Sequence, residues 1–357
     1  MPLSDDKKIV NRGASFNPQL RYQQYEKISV DDGWYCDEEL TPLKTEIIVD
    51  SSKSIITRNN SPDVPFSQSI NPYRGCEHGC IYCFARPSHA YLDLSPGLDF
   101  ETKLVIKPDA AKLLRKELAK KNYQCDTIAM GTNTDPYQPI EIEHRITRQI
   151  IEVLAETNHP LSIVTKSALI ERDIDLLQPM AEKNLVHVMI SVTTLDKQLA
   201  RIMEPRAAVP QRRLQTIQRL TRAGIPAGVL VAPIIPFLND AEIETIVAAV
   251  ADAGANSLAY VFLRLPIEVK DLFRDWLLQH YPLKAERIMQ RIRDSRNGKD
   301  YDADFGQRMT GTGKYVELIQ QRFELAIKKA GLNDGYVALD TTQFKPPRVD
   351  TPQLSLF

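Results

Sequence analysis

The sequence contains no long hydrophobic run. Its 357 residues nowhere approach the roughly 18 to 20 consecutive apolar residues of a membrane-spanning helix, and its first residues, MPLSDDKKIV, lack the apolar core of a signal peptide. We therefore predict a cytoplasmic protein with no membrane partner. Apolar residues make up 43% of the chain and charged residues 25%, which is ordinary usage for a folded globular protein.

The chain also lacks an excess of either charge. Its 45 Lys and Arg residues nearly balance its 46 Asp and Glu residues, which gives a formal net charge of −1. A global basic field that would attract nucleic acid over long distances is therefore absent. This lowers the expectation of a nucleic-acid partner without excluding one.

Cysteine is scarce but clustered. Three of the five cysteines, Cys76, Cys80 and Cys83, fall within the stretch RGCEHGCIYCFARPSH, whereas Cys36 and Cys125 stand apart. An odd number of cysteines, three of them crowded together in a reducing compartment, favours metal binding over disulfides.

The spacing C-x3-C-x2-C is compatible with two kinds of metal centre. Structural zinc sites usually combine two separated half-sites; this chain has no second Cys pair, although His78 or His89 could supply a fourth ligand. Three thiolates in one loop can instead bind three irons of a [4Fe–4S] cluster and leave the fourth iron open. Gly75 and Gly79 would let the backbone fold tightly around such a bulky group. We favour the cluster and keep zinc as the alternative.

Repeated βα units are predicted between about residues 68 and 280, where short apolar runs alternate with longer amphipathic ones. We predict a helix that begins near Pro210 and ends at Gly224. The next helix is predicted to begin at a cap from Asn239 or Asp240 and to end at Gly254. The predicted strands cover residues 69–73, 127–131, 161–165, 186–192, 227–235 and 257–263. In a barrel, the cysteine loop after the first strand would lie on the C-terminal face, where loops carry chemistry.

The predicted division of the chain has four parts. Residues 1–66 are polar and are predicted to form an N-terminal extension with little core of its own. Residues 67–280 form the predicted barrel core, and residues 281–335 form a helical segment rich in Lys and Arg. Residues 336–357 contain several prolines and no periodicity, which predicts a flexible tail.

The motif C-x3-C-x-Φ-C, with Tyr82 directly before the last cysteine, resembles that of the radical S-adenosylmethionine (radical SAM) superfamily. The resemblance covers roughly residues 68–280 and implies an α/β fold, a partial (β/α)6 TIM-like barrel of the radical SAM type, here with a helical C-terminal extension. It implies a [4Fe–4S] cluster bound by Cys76, Cys80 and Cys83, with Tyr82 near the adenine of S-adenosyl-L-methionine. It also implies an electron donor such as flavodoxin or ferredoxin, and cleavage of S-adenosylmethionine to a 5′-deoxyadenosyl radical that abstracts hydrogen from a substrate.

Within the superfamily, the sequence is similar to the spore photoproduct lyase group. Proteins of that group bind S-adenosylmethionine through a hydroxyl residue after strand two, a Lys after strand three and a Ser on strand four. These positions correspond here to Thr134, Lys166 and Ser191. Each of the three also has an ordinary structural interpretation, as a turn residue or as a polar side chain at the rim of a barrel.

The resemblance also exposes two differences. In the lyase group a cysteine near the end of strand two returns hydrogen to the product, and a tyrosine directly after the third cluster cysteine assists. This chain has Thr132 and Phe84 at those places, and neither donates a hydrogen atom as a thiol or a phenol does. Cys125 precedes strand two and is therefore predicted to lie at the wrong end of the barrel to replace them.

Basic residues occur at two further places. The stretch EPRAAVPQRR places Arg206, Arg212 and Arg213 before the fourth helix, where they could contact phosphates or pair with Glu204. The segment 284–296 could add phosphate contacts, or it could be a solvated helix face.

The last five residues, QLSLF, resemble the peptide by which many bacterial repair and replication proteins bind the DNA polymerase sliding clamp. The anchors would be Gln353, Leu354, Leu356 and Phe357, carried on an extended tether. We therefore predict a lyase-like radical SAM enzyme that acts on damaged or modified DNA in a repair reaction and is recruited by the clamp. The alternatives are the same chemistry on RNA, a protein or a small molecule, and a non-catalytic zinc module.

Overall fold

The computed structural model describes residues 12–22, 43–333 and 338–347, and strands and helices alternate between residues 46 and 330. The strands are β1 (Glu46–Val49), β2 (Ile56–Arg58), β3 (Gln68–Ile70), β4 (Tyr73–Arg74), β5 (Lys103–Ile106), β6 (Ile128–Met130), β7 (Leu161–Thr165), β8 (Val186–Ser191), β9 (Ala227–Ile234) and β10 (Ser257–Phe262). The helices are α1 (Asp99–Thr102), α2 (Ala110–Leu118), α3 (Glu141–His144), α4 (Ile146–Glu156), α5 (Ile174–Glu182), α6 (Lys197–Met203), α7 (Pro210–Arg222), α8 (Ile243–Asp252), α9 (Val269–His280), α10 (Ala285–Asp294) and α11 (Lys314–Ala330). Short 3-10 helices cover Arg86–Leu92, Ala168–Asp173 and Asp240–Glu242.

The main sheet has seven strands in the order β10-β9-β8-β7-β6-β3-β2. Its six strands from β3 to β10 pair in parallel, and only β2 is antiparallel to its neighbour β3. Helices α4, α5, α7 and α8 connect successive parallel strands and bury their apolar faces in one continuous core with them. The six predicted βα units are therefore confirmed, because parallel strands need crossover connections of this length.

Local sequence signals set the bounds of some helices and not others. Helix α7 begins at Pro210, and Gly224 adopts a φ of +75° just after its end, as predicted. The predicted cap of α8 is wrong, because the Asn239 side chain does not cap the helix. It accepts a hydrogen bond from the backbone N of Ile235 at 2.7 Å and donates to the carbonyl of Thr193 at 2.8 Å. Asn239 thus joins the ends of two neighbouring strands.

The first predicted strand, 69–73, is split between two sheets. Strand β3 ends at Ile70, and Pro72, which has no N–H to continue a ladder, separates it from β4. Strand β4 pairs with β5 in a second sheet of order β1-β5-β4. The cysteine loop begins at Gly75, directly after this second sheet.

The described part of the predicted N-terminal extension takes part in both sheets. Strand β1 pairs in parallel with β5, and β2 pairs with β3 at the edge of the main sheet. The extension therefore adds strands to sheets formed by the predicted core, across the predicted boundary at residue 66. The four-part division of the chain remains a prediction.

The C-terminal region contains α10 and α11, as predicted, and then returns to the main sheet. The Phe344 ring packs against the rings of Tyr123 and His159, with centroids 5.4 and 5.3 Å apart, and the backbone N of Lys345 donates to the carbonyl of Thr157 at 2.9 Å. These contacts correct the predicted flexible tail over residues 338–347, because an aromatic anchor and backbone hydrogen bonds hold that part in place. The predicted clamp peptide lies outside the described residues.

The position of this packed segment is at the N-terminal end of the parallel strands. Tyr123, Thr157 and His159 belong to connections that lead from a helix into the following strand. The cysteine loop lies at the other end of the strands.

In the described part of the chain, no helix is both long and apolar enough to cross a membrane.

Candidate cofactor site

The predicted site residues all lie where strands of the main sheet end. The cysteine loop follows β3 and β4, Thr134 follows β6, Lys166 follows β7 directly, and Ser191 is the last residue of β8. The C-terminal ends of parallel strands share one edge of a sheet, which is where α/β folds build their sites. The fold therefore brings residues far apart in sequence to one edge.

The backbone of the cysteine loop is tightly turned. Gly75 and Gly79 have φ values of +79° and +67°, a region that residues with a Cβ rarely adopt. A Cβ on Gly75 would also lie 2.7 Å from Leu104 Cδ2 and 2.8 Å from His89 Cε1. The backbone N of Cys76 donates to the carbonyl of Phe100 at 2.9 Å, which joins the loop to the neighbouring segment.

A buried ion pair between Arg86 and Glu101 packs against the cysteine loop and stabilises it. Both side chains are fully buried, and an Arg86 nitrogen lies 2.5 Å from a Glu101 oxygen. Arg86 also donates to the carbonyl of Cys80 at 3.0 Å, and Glu101 accepts from the backbone N atoms of Gly13 and Ala14 at 2.9 Å. A buried pair is stable when its remaining hydrogen-bonding groups are satisfied in this way. These contacts hold the loop in shape, and the sequence predicted neither partner.

The cysteine thiols suit a bound cation. Cys76 and Cys80 are 7% and 8% exposed, and Cys83 is half-buried. Burial raises the pKa of the Cys80 thiol to about 12 and the pKa of Cys76 well above its usual value. A coordinated metal reverses this preference, since a coordinating thiol loses its proton. The donor set therefore fits an iron–sulfur cluster.

Among the described residues, both histidines that could supply a fourth zinc ligand have other partners. His78 Nδ1 lies 3.3 Å from an oxygen of Asp135, and His89 Nε2 lies 2.9 Å from the carbonyl of Lys103. Over residues 12–22, 43–333 and 338–347, no group of three or more His, Cys, Asp or Glu side chains converges on the position of a single metal ion. Thiolates that bind different irons of a cluster need no such common point, so the geometry favours the cluster.

Lys166 lies half-buried beside the cysteine loop. Its backbone N donates to Asp135 at 2.8 Å, while its ammonium lies 5.8 Å from the centre of the Tyr82 ring. Among the described residues, the ammonium has no hydrogen bond or ion pair. Burial opposes its charge, but Cys80 and Glu204, two groups that can carry negative charge, outweigh burial and raise the pKa of Lys166. A charged ammonium that lacks a partner beside the cysteine loop fits an anionic group of a ligand, such as a carboxylate.

Tyr82 is fixed by a buried carboxylate. Its hydroxyl donates to Glu204, which also accepts from Arg213 and, at 2.8 Å, from Thr193. Burial would raise the pKa of Glu204, yet the charges of Arg213 and Lys166 lower it to about 2. Arg213 further donates to the carbonyl of Ser191 at 3.0 Å. The network connects the cysteine loop to the end of β8.

Thr134 contacts the cysteine loop itself. Its hydroxyl donates to the carbonyl of Gly75 at 2.6 Å and accepts from the Gln138 amide at 3.2 Å. Thr134 is thereby placed to hold the loop, and its predicted contact with the cofactor remains a prediction. The same holds for Ser191, whose side chain is buried at the end of β8.

Arg206, which precedes α7, and Arg212 and Arg213, which lie in its first turn, all pair with carboxylates. Arg213 pairs with Glu204, Arg206 lies 3.0 Å from Glu77, and Arg212 lies 2.5 Å from Glu171. These contacts support the interpretation that the arginines form ion pairs within the protein, and not the interpretation that they contact phosphates.

The positions that differ from the lyase group are also defined. Phe84 is 45% exposed beside the cysteine loop, and the Thr132 hydroxyl accepts from the Asn71 amide at 3.2 Å. Cys125 precedes β6 and so lies at the opposite end of the strands, as predicted. Cys36 lies outside the described residues.

Comparisons with known proteins agree with this site. Residues 70–250 match the Radical SAM superfamily. An uncharacterized protein of Mycobacterium tuberculosis is 39% identical over 236 residues, which are 66% of this chain and 69% of that protein. An uncharacterized protein of Methanocaldococcus jannaschii is 27% identical over 245 residues, 69% of this chain and 87% of that protein.

Solved structures support the same conclusion about the fold. A spore photoproduct lyase mutant with bound AdoMet and dinucleoside spore photoproduct has a TM-score of 0.56 at 16% identity, with 80% of each chain covered. Its fold confirms the predicted α/β class of the radical SAM type. Enzymes of that superfamily use a [4Fe–4S] cluster and S-adenosylmethionine, to which the cysteine loop is suited. This chain belongs to the radical SAM superfamily.

Proposed function

We propose that the protein cleaves S-adenosylmethionine reductively and uses the resulting radical on a damaged or modified base in DNA. The observation that carries the first step is the half-buried Lys166 ammonium, which has a Tyr82 ring beside it and no hydrogen bond or ion pair among the described residues. When bound at Cys76, Cys80 and Cys83, the cluster would supply the electron for cleavage, and it would receive that electron from a donor such as flavodoxin or ferredoxin.

The protein's own residues would bind and orient the cofactor. Lys166 would pair with the cofactor's carboxylate in a buried setting, where such a pair is strong. Tyr82, held by Glu204, would contact the adenine, and Ser191 and Thr134 would complete the predicted set. The buried Arg86–Glu101 pair would keep the loop in shape and so limit reorganisation on binding.

Two observations support DNA as the substrate. Spore photoproduct lyase, which shares the fold, has been solved in complex with a dinucleoside lesion. The terminal QLSLF resembles a sliding-clamp peptide, and recruitment by the clamp would raise the local concentration of DNA for a protein with a net charge of −1. Because Phe84 and Thr132 cannot return hydrogen as a phenol or thiol does, we propose that the reaction ends with a different hydrogen donor.

Anaerobic turnover tests the first step. The protein reconstituted with iron and sulfide should form 5′-deoxyadenosine from S-adenosylmethionine when dithionite is added, as measured by chromatography. The Cys83→Ala variant should form none, because one ligand of the cluster is lost. Absence of 5′-deoxyadenosine from the iron-loaded wild type would refute the proposed chemistry, and zinc in place of iron after anaerobic purification would support the zinc alternative.

Incubation with damaged DNA tests the substrate. The reduced protein, S-adenosylmethionine and clamp are incubated with irradiated DNA, and the nucleosides are identified by mass spectrometry. We expect a nucleoside change that requires S-adenosylmethionine. Unchanged DNA beside turnover of RNA, a protein or a small molecule would reject DNA and retain the radical chemistry.

A further inference from the structure

Three arginines on the same edge of the sheet as the cysteine loop contact aromatic rings. The arginines of the candidate cofactor site, in contrast, pair with carboxylates. The guanidinium of Arg264 lies 4.8 Å from the centre of the Phe84 ring, and those of Arg287 and Arg291 lie 4.2 and 5.7 Å from the centre of the Phe237 ring. In the described part of the chain, none of the three forms an ion pair with a carboxylate. We name these five residues the arginine–aromatic rim.

The rim lies beside the cysteine loop. Phe84 directly follows the last cluster cysteine, and Arg264 comes two residues after the end of β10. Phe237 follows the end of β9 and packs on a hydrophobic cluster that contains Cys80, Tyr82 and the buried face of α10. The rim is therefore on the same edge of the sheet as the proposed cofactor.

The arginines of the rim have N–H groups that lack good hydrogen-bond acceptors among the described residues. The Nε atoms of Arg264 and Arg291 are buried without a hydrogen-bond partner. The other contacts of Arg264 are long, 3.4 Å to the Met309 sulfur and 3.4 Å to the Tyr301 hydroxyl. A guanidinium without a carboxylate partner binds phosphate well, and an exposed ring beside it offers a face to a flat ligand.

We propose that the arginine–aromatic rim binds single-stranded DNA, with a base stacked on Phe84 and the backbone phosphates near Arg264, Arg287 and Arg291. This inference rests on the proposed function and narrows its substrate to an unpaired strand. In a duplex each base face is covered by its neighbours, so only an unpaired or flipped base can stack on a side chain. The attraction between the rim arginines and the DNA phosphates acts over a short range, so it does not require the whole protein to carry a positive net charge.

Two further exposed rings lie beside Arg21, which, unlike the rim arginines, pairs with a carboxylate, 2.5 Å from Glu268. The rings of Tyr22 and Tyr91 are 54% and 72% exposed and stack on each other at 5.9 Å, with the guanidinium of Arg21 5.4 and 5.8 Å from their centres. Tyr91 belongs to the 3-10 helix that follows Phe84 along the chain. Successive exposed rings with arginines are typical of surfaces that follow a single strand.

Fluorescence anisotropy tests the rim on the iron-loaded full chain. The probe is a fluorescein-labelled oligothymidylate at fixed salt, and a duplex of equal length is the comparison. We expect the single strand to bind more tightly than the duplex. Because stacking on one ring contributes about 1–3 kcal/mol, Phe84→Leu should weaken binding about fivefold or more, and Arg264→Gln should weaken it too.

A matched control removes one charge elsewhere. Arg115 on α2 is 45% exposed and pairs with Glu156, so Arg115→Gln should leave binding of the probe unchanged. Inorganic polyphosphate, which has charge but no bases, should compete poorly. Equal loss of affinity in Arg115→Gln, equal competition by polyphosphate, or tighter binding of the duplex or of an oligouridylate would overturn the proposal.

Failure of the proposed DNA binding by the rim can be distinguished from failure of the proposed radical chemistry. Wild-type protein that forms 5′-deoxyadenosine but does not prefer the single strand would overturn the rim alone. Wild-type protein that prefers the single strand but forms no 5′-deoxyadenosine would overturn the proposed chemistry and keep the rim.

Discussion

Lys166 is the residue on which the proposed cofactor binding depends most directly. Its ammonium lies near the Tyr82 ring, and its backbone N donates a hydrogen bond to Asp135. The hydrogen bond fixes the position of the Lys166 backbone, from which the side chain extends. The charge is retained there because the nearby carboxylate of Glu204 helps to offset the cost of burial. A ligand carboxylate would complete the balance of charge at this end of the sheet.

Replacement of Lys166 by Met should weaken the binding of S-adenosylmethionine about tenfold or more, because a charge-assisted hydrogen bond contributes about 1.5–3 kcal/mol. The iron content should stay unchanged, since Lys166 is not a proposed ligand of the cluster. Equilibrium dialysis under anaerobic conditions measures the affinity. Lys328→Met, at an exposed position on α11, is the control, and equal affinities of the two variants would contradict the role of Lys166.

Glu204 is the second residue with a large expected effect. Glu204→Gln leaves buried Arg213 without its counter-charge, which should cost about 3–5 kcal/mol of unfolding free energy at neutral pH. Chemical denaturation of wild type and variant measures the loss. Glu244→Gln breaks an exposed pair with Arg322 and should cost less than about 1 kcal/mol. A loss of similar size in both variants would contradict the buried network.

At the scale of elements, the edge of the main sheet at the N-terminal ends of its strands is covered by residues 338–347. The Phe344 ring contacts Tyr123 and His159, and Asn184 donates to the carbonyl of Ala338 at 2.8 Å. His159 is fully buried there, between the tail and the start of β7. The attachment of this segment should therefore respond to protonation of His159.

Stability should fall as the pH drops from about 6.5 to about 4, because burial lowers the pKa of His159 from 6.5 to about 4. Between these values the unfolded chain binds a proton that the folded chain does not, so the folded state is fully stabilised only above pH 6.5. At pH 5 the loss attributable to His159 is about 2 kcal/mol. Thermal unfolding of wild type and His159→Gln between pH 5 and 7 measures it, and the same pH dependence in both would count against this assignment.

At the scale of the whole molecule, the proposed cofactor site and residues 338–347 lie at opposite ends of the parallel strands. Residues 338–347 pack against helix-to-strand connections, whereas the cysteine loop follows strand ends. The segment that leads towards the proposed clamp peptide is thus at the opposite end of the barrel from the proposed cofactor site. A peptide at residues 353–357 would then act as a tether and contribute nothing to cofactor binding.

Deletion of residues 348–357 should abolish binding to the purified sliding clamp and leave formation of 5′-deoxyadenosine unchanged. Analytical gel filtration with the clamp measures the first property, and the anaerobic assay measures the second. Replacement of Leu356 and Phe357 by Ala is a milder variant that should give the same result, because both supply apolar anchors. Clamp binding by the truncated chain would place the contact elsewhere.

Local spacing in the sequence determined the cysteine motif, the six βα units and the bounds of α7. These follow from neighbours a few residues apart, such as Cys76 and Cys80, or from periodic apolar positions, which are legible without the fold. The same signals failed at Asn239, whose side chain joins two strand ends, and at Pro72, where the chain leaves one sheet for another.

Only the tertiary structure decided which charges meet. Arg86 pairs with Glu101, and Lys166 lies over the Tyr82 ring without an ion pair among the described residues, through contacts between segments that are far apart in sequence. The packing of residues 338–347 on the barrel, and the stacking of Arg264 on Phe84, are likewise long-range contacts. Such contacts depend on which strand ends become neighbours, and that is settled by burial of the whole core and not by the spacing of any one motif.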